Sequence, residues 1–323
     1  MIFGAWAIIL NILTIGILSF GFALLLMSLL VNPTHGLLLR FEAKTRARLL
    51  WCVVALPWFV SLVSVVLLVF PEVFNWQGRW LTSMLHLHHT YSFPIYSWHG
   101  VSLFLFSALS FLLLLSKLIS AFKNTSHIGQ LQDFLRPTQL PNGCMLIESE
   151  KRHAFTSGII SPKAYITRGL HDLLTETENS VVQQHELAHV KHADPLRKYA
   201  FSVLASFFPG RLVTQLNNAF SLALEQLADS VVLKTSHNEA LISKTILKVV
   251  RLQNISTPGQ TEPLFNCAFT THPLELRIRY LLSDDKGYAF PHGLVFLSAL
   301  TLVLVSTFSV DLLHHYFEYL SNH

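Results

Sequence analysis

The sequence has little charge and little cysteine. Asp, Glu, Lys and Arg make up only 13% of its 323 residues, whereas 51% are hydrophobic and the mean hydropathy is +0.46. This balance excludes an ordinary soluble domain and predicts a membrane protein. The three cysteines have no close spacing, which argues against a thiolate zinc site or a redox motif and favours reduced, structural thiols: Cys52, Cys144 and Cys267.

Long uncharged runs account for the high hydropathy. A membrane-crossing helix needs about 20 apolar residues. Four runs without Lys, Arg, Asp or Glu reach about that length, at about 5–31, 49–70, 93–116 and 290–310. The first run has no basic region before it and is longer than the core of a signal peptide, so it predicts a retained span.

Basic residues set the predicted orientation of these spans. Lys and Arg cluster between the first and second runs and again after the third, whereas the loop 71–92 carries a single Arg79. The positive-inside rule therefore places residues 124–285 on the cytoplasmic side of the membrane, with the loop 71–92 and both termini outside. The net charge of +4 and the pI near 9.0 fit this topology and anionic lipid, and do not require nucleic-acid binding.

Residues 124–285 differ in character from the runs around them. Charges appear at ordinary density, and short mixed runs at 145–150, 154–157 and 163–167 predict two or three β-strands. A helical pattern follows from Ser180, so this segment is predicted to be an α+β domain inserted between the third and fourth spans. The apolar stretch 199–209 is too short to cross a bilayer, which leaves a position against the membrane and a buried helix as alternatives.

The motif His185-Glu186-Leu-Ala-His189 carries the strongest chemical signal. Residues four apart share one helix face, so His185 and His189 can bind one metal ion while Glu186 reaches a water beside it. In zinc hydrolases the metal lowers the pKa of a water, and a carboxylate such as Glu186 acts as general base. This motif predicts half of a zinc site.

A pair of acidic residues further along the chain supplies the missing half of the site. Catalytic zinc usually has three protein ligands, and Glu225 and Asp229 lie four apart in an otherwise apolar helix predicted at 219–233. Glu225 is the predicted third ligand, and Asp229 is placed to hold a ligand histidine by a hydrogen bond. His272 and Arg277 are candidate donors to the oxyanion of the transition state. His192 and Asp194 are interpreted as a polar helix end that can also support the site.

Three segments together resemble the M56 family of membrane metallopeptidases, which includes the beta-lactam sensor-transducers of the BlaR/MecR type. They are Ala154-Phe-Thr-Ser-Gly-Ile-Ile-Ser-Pro-Lys163, His185-Glu-Leu-Ala-His189-Val-Lys-His-Ala-Asp194 and Glu225-Gln-Leu-Ala-Asp229. Three spans before the zinc domain and one after also match. The resemblance implies a gluzincin-like fold with one zinc ion held by His185, His189 and Glu225, and Glu186 as the base.

The resemblance also implies a biological setting. Family members of this type relieve transcriptional repression, often beside a BlaI-like repressor, so a cytoplasmic regulatory protein is the expected substrate. The segment 154–167 is expected to offer an edge strand to that substrate. Only residues 311–323 follow the fourth run, so the penicillin-binding sensor domain of the antibiotic sensors is not expected here. A homo-oligomer is compatible with the sequence.

Histidines on the predicted outer side offer a sensor hypothesis. His86, His88, His89 and His99 can bind a transition metal or respond to pH. Histidines at a membrane edge are more often interfacial polar groups, so both interpretations stay open.

Two alternatives to the M56 interpretation use the same residues. A housekeeping protease of the M48 (HtpX-like) type shares both metal motifs and a downstream His-Pro such as His272-Pro273, although three spans before the metal helix favour M56. A non-catalytic membrane sensor with structural zinc is the other alternative, and Glu186 argues against it because a structural site needs no base.

Overall fold

Helices make up most of the chain. The structure, a computed structural model, describes residues 1–69, 92–135, 137–256, 271–283 and 287–321. Its elements in chain order are β1 (Ile2–Phe3), α1 (Ala5–Thr34), a 3-10 turn (His35–Arg40), α2 (Ala43–Val69), β2 (Ser92–Phe93), α3 (Trp98–Leu135), β3 (Thr138–Gln139), β4 (Met145–Ile147), β5 (Ala154–Ser157), β6 (Lys163–Thr167), α4 (Arg168–His171), α5 (Glu176–Lys191), α6 (Asp194–Ala205), α7 (Arg211–Ser236), α8 (Glu239–Ser256), α9 (Thr271–Leu282) and α10 (His292–Ser321).

Four of these helices are long and apolar enough to cross a membrane. The apolar stretches are Ala5–Val31 in α1, Ala43–Leu67 in α2, Trp98–Phe122 in α3 and His292–Val310 in α10. The second begins before residue 49 because backbone hydrogen bonding continues through its basic first turns. The third begins after residue 93 because Ser92 and Phe93 instead form β2, which pairs with β1. Most of the predicted loop 71–92 lies outside the described residues.

Small and hydroxylated residues mediate contacts between the four apolar helices α1, α2, α3 and α10, which we name the span helices. Ser61 Oγ in α2 donates to the Gly16 carbonyl in α1 at 2.7 Å, and Ser64 Oγ lies 2.9 Å from Thr307 Oγ1 in α10. A Cβ at Gly16 would lie 3.3 Å from Ser61 Oγ, so glycine permits the close approach. Such contacts are typical of helices that pack inside a bilayer, where hydrophobic burial does not drive association.

A four-stranded mixed sheet forms the β part of the inserted domain. Its order is β3-β4-β6-β5, with β4 and β6 parallel and the other pairs antiparallel. The strands β4 and β6 pack with α4 and α5 around a small core that contains Leu146, Ile166, Leu170 and Val182. The strand β5 is at one end of this order. The segment 154–167, predicted to offer an edge strand, contains this end strand β5, whereas β6 in the same segment pairs on both sides.

Local signals set the bounds of the metal-motif helix α5. Thr175 caps its first turn: Thr175 Oγ1 accepts from the Glu178 amide, and the Glu178 carboxylate accepts from the Thr175 amide. The helix ends at Lys191, and Ala193 adopts a left-handed conformation with φ 51° before α6 begins. Pro195 in the first turn of α6 needs no amide donor there. This tight turn folds α6 back toward α5.

The α6–α7 pair packs into the span helices. Phe201 and Phe208 and the apolar face of α7 share one core with α1, α2 and α10. Trp51 of α2 lies edge-on against Phe201 and Phe220. Of the two predicted positions for residues 199–209, the structure shows the buried one, because the end of α6 and the loop after it pack against the apolar helices. A position against a membrane stays a prediction.

Candidate metal centre

Three predicted ligands converge between α5 and α7. The Nε2 atoms of His185 and His189 lie 3.2 Å apart. Glu225 Oε2 lies 3.3 Å from His185 Nε2, and Glu225 Oε1 lies 3.7 Å from His189 Nε2. Within the described part of the chain, this is a group whose ligand atoms all fall within 4.8 Å of one another and can hold a metal ion.

Each histidine is held from behind by an aspartate. Asp229 Oδ1 lies 3.0 Å from His185 Nδ1, and Asp194 Oδ2 lies 2.8 Å from His189 Nδ1. A proton on Nδ1 that is donated to a carboxylate leaves the Nε2 lone pair free for a metal and fixes the orientation of the ring. Both Nε2 atoms therefore point into the same space as Glu225. For Asp194 the structure gives the supporting role, which the sequence had ranked below a simple helix end.

The tight turn at Ala193 explains why sequence reasoning undervalued Asp194. Counted along a continuous helix, Asp194 would lie one turn beyond His189 and point away from it. The turn breaks the helix and returns the Asp194 carboxylate to the His189 ring, and Arg197 Nη1 donates to the same carboxylate at 2.7 Å. The signal available in the sequence was Pro195, which favours a new helix starting just before it.

Arg277 contacts the carboxylates of Asp229 and Glu225. Its Nε and Nη2 donate to the two Asp229 oxygens at 2.9 and 2.8 Å, and Nη1 lies 3.4 Å from Glu225 Oε2. Both Arg277 and Asp229 are buried, and a buried carboxylate needs such a paired cation. The sequence suggested Arg277 as an oxyanion donor; the structure shows it bound to these two carboxylates, and the oxyanion role stays a prediction. The side chain of His272, the other suggested donor, lies outside the described residues.

Mutual charges hold this cluster ionised. Burial alone lowers the pKa of His185, but the hydrogen bonds to Asp229 and Glu225 outweigh burial and raise that pKa to about 10. Burial alone would raise the pKa of Glu225, but the charges of His189 and Lys198 lower it well below its usual range. The pKa of Asp229 is likewise lowered, against burial, by Arg277 and His185. Because a metal binds neutral imidazole, metal uptake by this chain has to release a proton.

The predicted base Glu186 is tied to the edge strand. Thr156 Oγ1 in β5 lies 2.9 Å from Glu186 Oε2 and 2.9 Å from the Glu186 carbonyl oxygen. This contact holds the Glu186 carboxylate against the strand β5. Thr156 was not predicted as a site residue, and a lone threonine in a short strand gives no signal for such a role.

Lys198 is a second residue that the sequence did not indicate. Its Nζ lies 3.4 Å from Glu225 Oε1, on the side opposite to Arg277. Asp194 and Lys198 are four residues apart on α6, so one helix face contacts both His189 and Glu225. The spacing is visible in the sequence, but its relevance depends on how α6 packs against α7.

The other predictions for cysteine and histidine residues concern side chains away from the three predicted ligands. Burial and the nearby Glu186 charge raise the pKa of the Cys144 thiol to about 11, so it stays protonated, as expected of a structural cysteine. Of the outer histidines, His86, His88 and His89 lie outside the described residues. His99 starts α3 with its Nδ1 3.3 Å from Ser97 Oγ and its ring packed on Trp98. The sensor hypothesis therefore stays a prediction.

These side chains define the class of the protein. A pair of oriented imidazoles, an acidic ligand on a second helix and a carboxylate beside an edge strand are the parts of a metallopeptidase site. The chain is a metallopeptidase, an enzyme that hydrolyses peptide bonds, and a family comparison supports this: residues 127–284 match the model of Peptidase family M48. No curated protein matches the chain.

The matched family bears on the choice between the M48 and the M56 interpretation. The match covers the sheet and all of the metal-centre residues, just under half of the chain, and M48 differs from M56. The match fits the M48 alternative at least as well as the M56 interpretation, which stays a prediction.

Removing the support of His189 should weaken metal binding without removing a ligand. In Asp194→Asn the amide oxygen can still accept one bond but carries no charge, so we expect zinc affinity to fall about 10- to 100-fold, the range typical of residues that hold metal ligands. Competition with a chromogenic chelator measures this affinity. The matched control is Asp172→Asn, since Asp172 also lies beside a histidine Nδ1, that of His171, but at the surface. Equal zinc affinities in the two variants would contradict the role of Asp194.

Proposed function

We propose that this chain is a membrane-spanning zinc endopeptidase whose active site faces the cytoplasmic side of a bacterial inner membrane. The observation that carries the proposal is the convergence of His185, His189 and Glu225 next to a base, Glu186, that is anchored to an edge strand. The four apolar helices support the membrane part of the proposal.

The donor set fits zinc. Two neutral imidazoles and one carboxylate are a common ligand set of catalytic zinc, and three protein ligands leave a position for water or substrate. Both imidazoles have the rear carboxylate partners that such sites use. When bound here, zinc supplies a Lewis acid that acidifies water and polarises a peptide carbonyl.

The chain's own residues supply the proton transfers and the substrate path. Glu186 takes a proton from the attacking water and delivers it to the leaving amine. Thr156 keeps the Glu186 carboxylate on the β5 side of the ligands. A polypeptide that pairs with β5 lies extended, with its backbone hydrogen-bonded to the strand. Because an added strand can run past both ends of β5, the cut falls inside a chain, which is the action of an endopeptidase.

Charge distribution supports the proposed orientation. The first turns of α2 and the end of the apolar stretch of α3, with Lys117 and Lys123, carry the basic residues that mark a cytoplasmic face, and both termini then lie outside. Arg46 at the start of α2 donates to Gln226, the residue after Glu225. The metal centre is thereby held at the level of this basic segment. The substrate is then a cytoplasmic protein, or a cytoplasmic part of one, that reaches the membrane surface.

Two biological roles fit this site. The family match over residues 127–284 favours a housekeeping protease of the M48 type. The order of the apolar helices, with three before the metal helix and one after, favours a regulatory protease of the M56 type that cleaves a BlaI-like repressor after an external signal. The number of cleaved proteins separates the roles: comparison of new protein N-termini in cells with wild type or Glu186→Gln should give many sites for the first and very few for the second.

Metal removal tests the proposed chemistry. The protein in lipid nanodiscs should contain one zinc ion and cleave an unfolded polypeptide such as β-casein. We expect 1,10-phenanthroline to abolish cleavage, because the Lewis acid is lost, and added zinc to restore it. Fragments are read by mass spectrometry, with the non-chelating 1,7-phenanthroline as control. Cleavage that persists after zinc has been removed would contradict the proposal.

A further inference from the structure

The loop between α6 and α7 reaches deep between the span helices. The Phe207 ring lies 5.6 Å from Phe20 in α1, 5.1 Å from Trp58 in α2 and 6.4 Å from Phe106 in α3. Trp58 follows the last charged residue of α2, Arg48, by ten residues, or about 15 Å of helix. This is about half of the roughly 30 Å hydrocarbon thickness of a bilayer. The α6–α7 hairpin, residues 194–236, therefore enters the membrane layer and returns.

Two faces of α7 differ in character over this inserted part. One face packs into the span core through Leu212, Leu216, Ala219, Phe220 and Ala223. The opposite face, which we name the polar face, consists of residues three or four apart that lead to the metal ligand: Arg211, Thr214, Gln215, Asn218, Ser221 and Glu225, with Leu222 as its one apolar member. It extends about 21 Å along the helix axis. Arg211, Thr214 and Asn218 are exposed.

A polar face at this depth has a restricted set of neighbours. Side chains such as Arg and Asn are costly in contact with lipid, so within a bilayer they face the bundle interior, a partner or water. Gln215 Oε1 is buried and accepts no hydrogen bond from the described residues, whereas an acceptor in the hydrocarbon region has to be satisfied. The exposed residues of the polar face do not point into the span core, which lies on the other side of α7.

We propose that the polar face of α7 lines a water-filled groove that opens inside the membrane layer and ends at Glu225 in the metal centre. The groove brings the water that hydrolysis consumes to the ligands from the membrane side. It also gives the polar backbone of a peptide a hydrated environment at a depth where lipid would otherwise surround it. The inference rests on the membrane placement in the proposed function.

Cysteine accessibility tests the groove. Thr214→Cys and Asn218→Cys are made in a background without Cys52 and Cys267, and inside-out membrane vesicles are treated with a sulfonated, membrane-impermeant methanethiosulfonate. Leu109→Cys, on the exposed side of α3 near the level of Phe106, is the lipid control, and Thr235→Cys at the end of α7 is the aqueous control. Cys144 stays in place because it is buried, so its labelling reports unfolding.

The outcomes separate the inference from the proposed function. We expect both polar-face cysteines to react more than about tenfold faster than Leu109→Cys, since the reactive thiolate forms in water and not in an apolar environment. Protection of the polar face and of Leu109→Cys, with Thr235→Cys labelled, would overturn the groove alone. A disulfide between two copies at Asn218→Cys would also overturn it, because a second chain would then cover the face. Labelling of Leu109→Cys as fast as Thr235→Cys would overturn the membrane placement itself.

Discussion

Replacing Glu186 with Gln is expected to lower the turnover number of peptide cleavage by about 100- to 10,000-fold, the usual contribution of a general acid–base group. Glutamine has the same shape and can still accept the Thr156 hydrogen bond, but it cannot take a proton. The three ligands and their aspartate partners are untouched, so zinc content should stay at one ion per chain. Turnover and zinc content are measured on the same preparation.

A control on the same helix separates loss of the base from general damage to α5. Glu176 lies exposed in the first turn, so Glu176→Gln should leave both turnover and zinc unchanged. Cleavage at the wild-type rate by Glu186→Gln would rule out the assigned base. A parallel loss of zinc and turnover in Glu186→Gln would instead mean that Glu186 acts through the metal site and not as a proton carrier.

The second large effect is expected at Glu225. Glu225→Ala leaves two ligands of three, so zinc affinity should fall more than about 100-fold, beyond the range for residues that only support ligands. Activity should be lost with it. The substitution also removes a carboxylate from Lys198 and Arg277, which are held close to it. Equilibrium dialysis against zinc buffers gives the affinity, and Glu239→Ala at the exposed start of α8 is the control.

A conservative variant guards against loss of folding. Glu225→Gln keeps the side-chain volume and a carbonyl oxygen but removes the charge that a metal and the two cations require. It should unfold at a lower temperature than wild type, because Lys198 and Arg277 lose a paired charge, but still in one cooperative transition, and it should bind zinc weakly. Wild-type zinc affinity in a folded Glu225→Gln protein would remove Glu225 from the set of ligands.

The repeating patterns in the sequence predicted the apolar helices and which site residues share a helix face. Long uncharged runs predicted four apolar helices, because a bilayer-crossing helix requires about 20 such residues whatever its neighbours are. The i and i+4 spacings placed His185 with His189 and Glu225 with Asp229 on common helix faces, since that relation follows from helix geometry alone. The pairing of α5 with α7 was inferred from chemistry, because two isolated histidines do not complete a site.

Contacts that depend on where the chain reverses direction were harder to predict from the sequence. Asp194 was ranked as a helix end because the left-handed turn at Ala193 has no strong signal in an alanine. The contact of Arg277 with Asp229 was not predicted, because the sequence does not reveal that Asp229 is fully buried and needs a cation. The sequence did not show which strand of the segment 154–167 lies at the edge, because strand order in a sheet is a tertiary property.

The sequence by itself determined the four long apolar helices, the metal motif and the pairing of His185 with His189 and of Glu225 with Asp229 on common helix faces. These are local properties, fixed by hydropathy and by the 3.6-residue period of a helix. Only the tertiary structure decided which aspartate supports which histidine, that Lys198 and Arg277 flank Glu225, and that Thr156 joins the base to the edge strand. It also decided that the α6–α7 hairpin packs among the apolar helices, because that depends on where aromatic rings far apart in the chain meet.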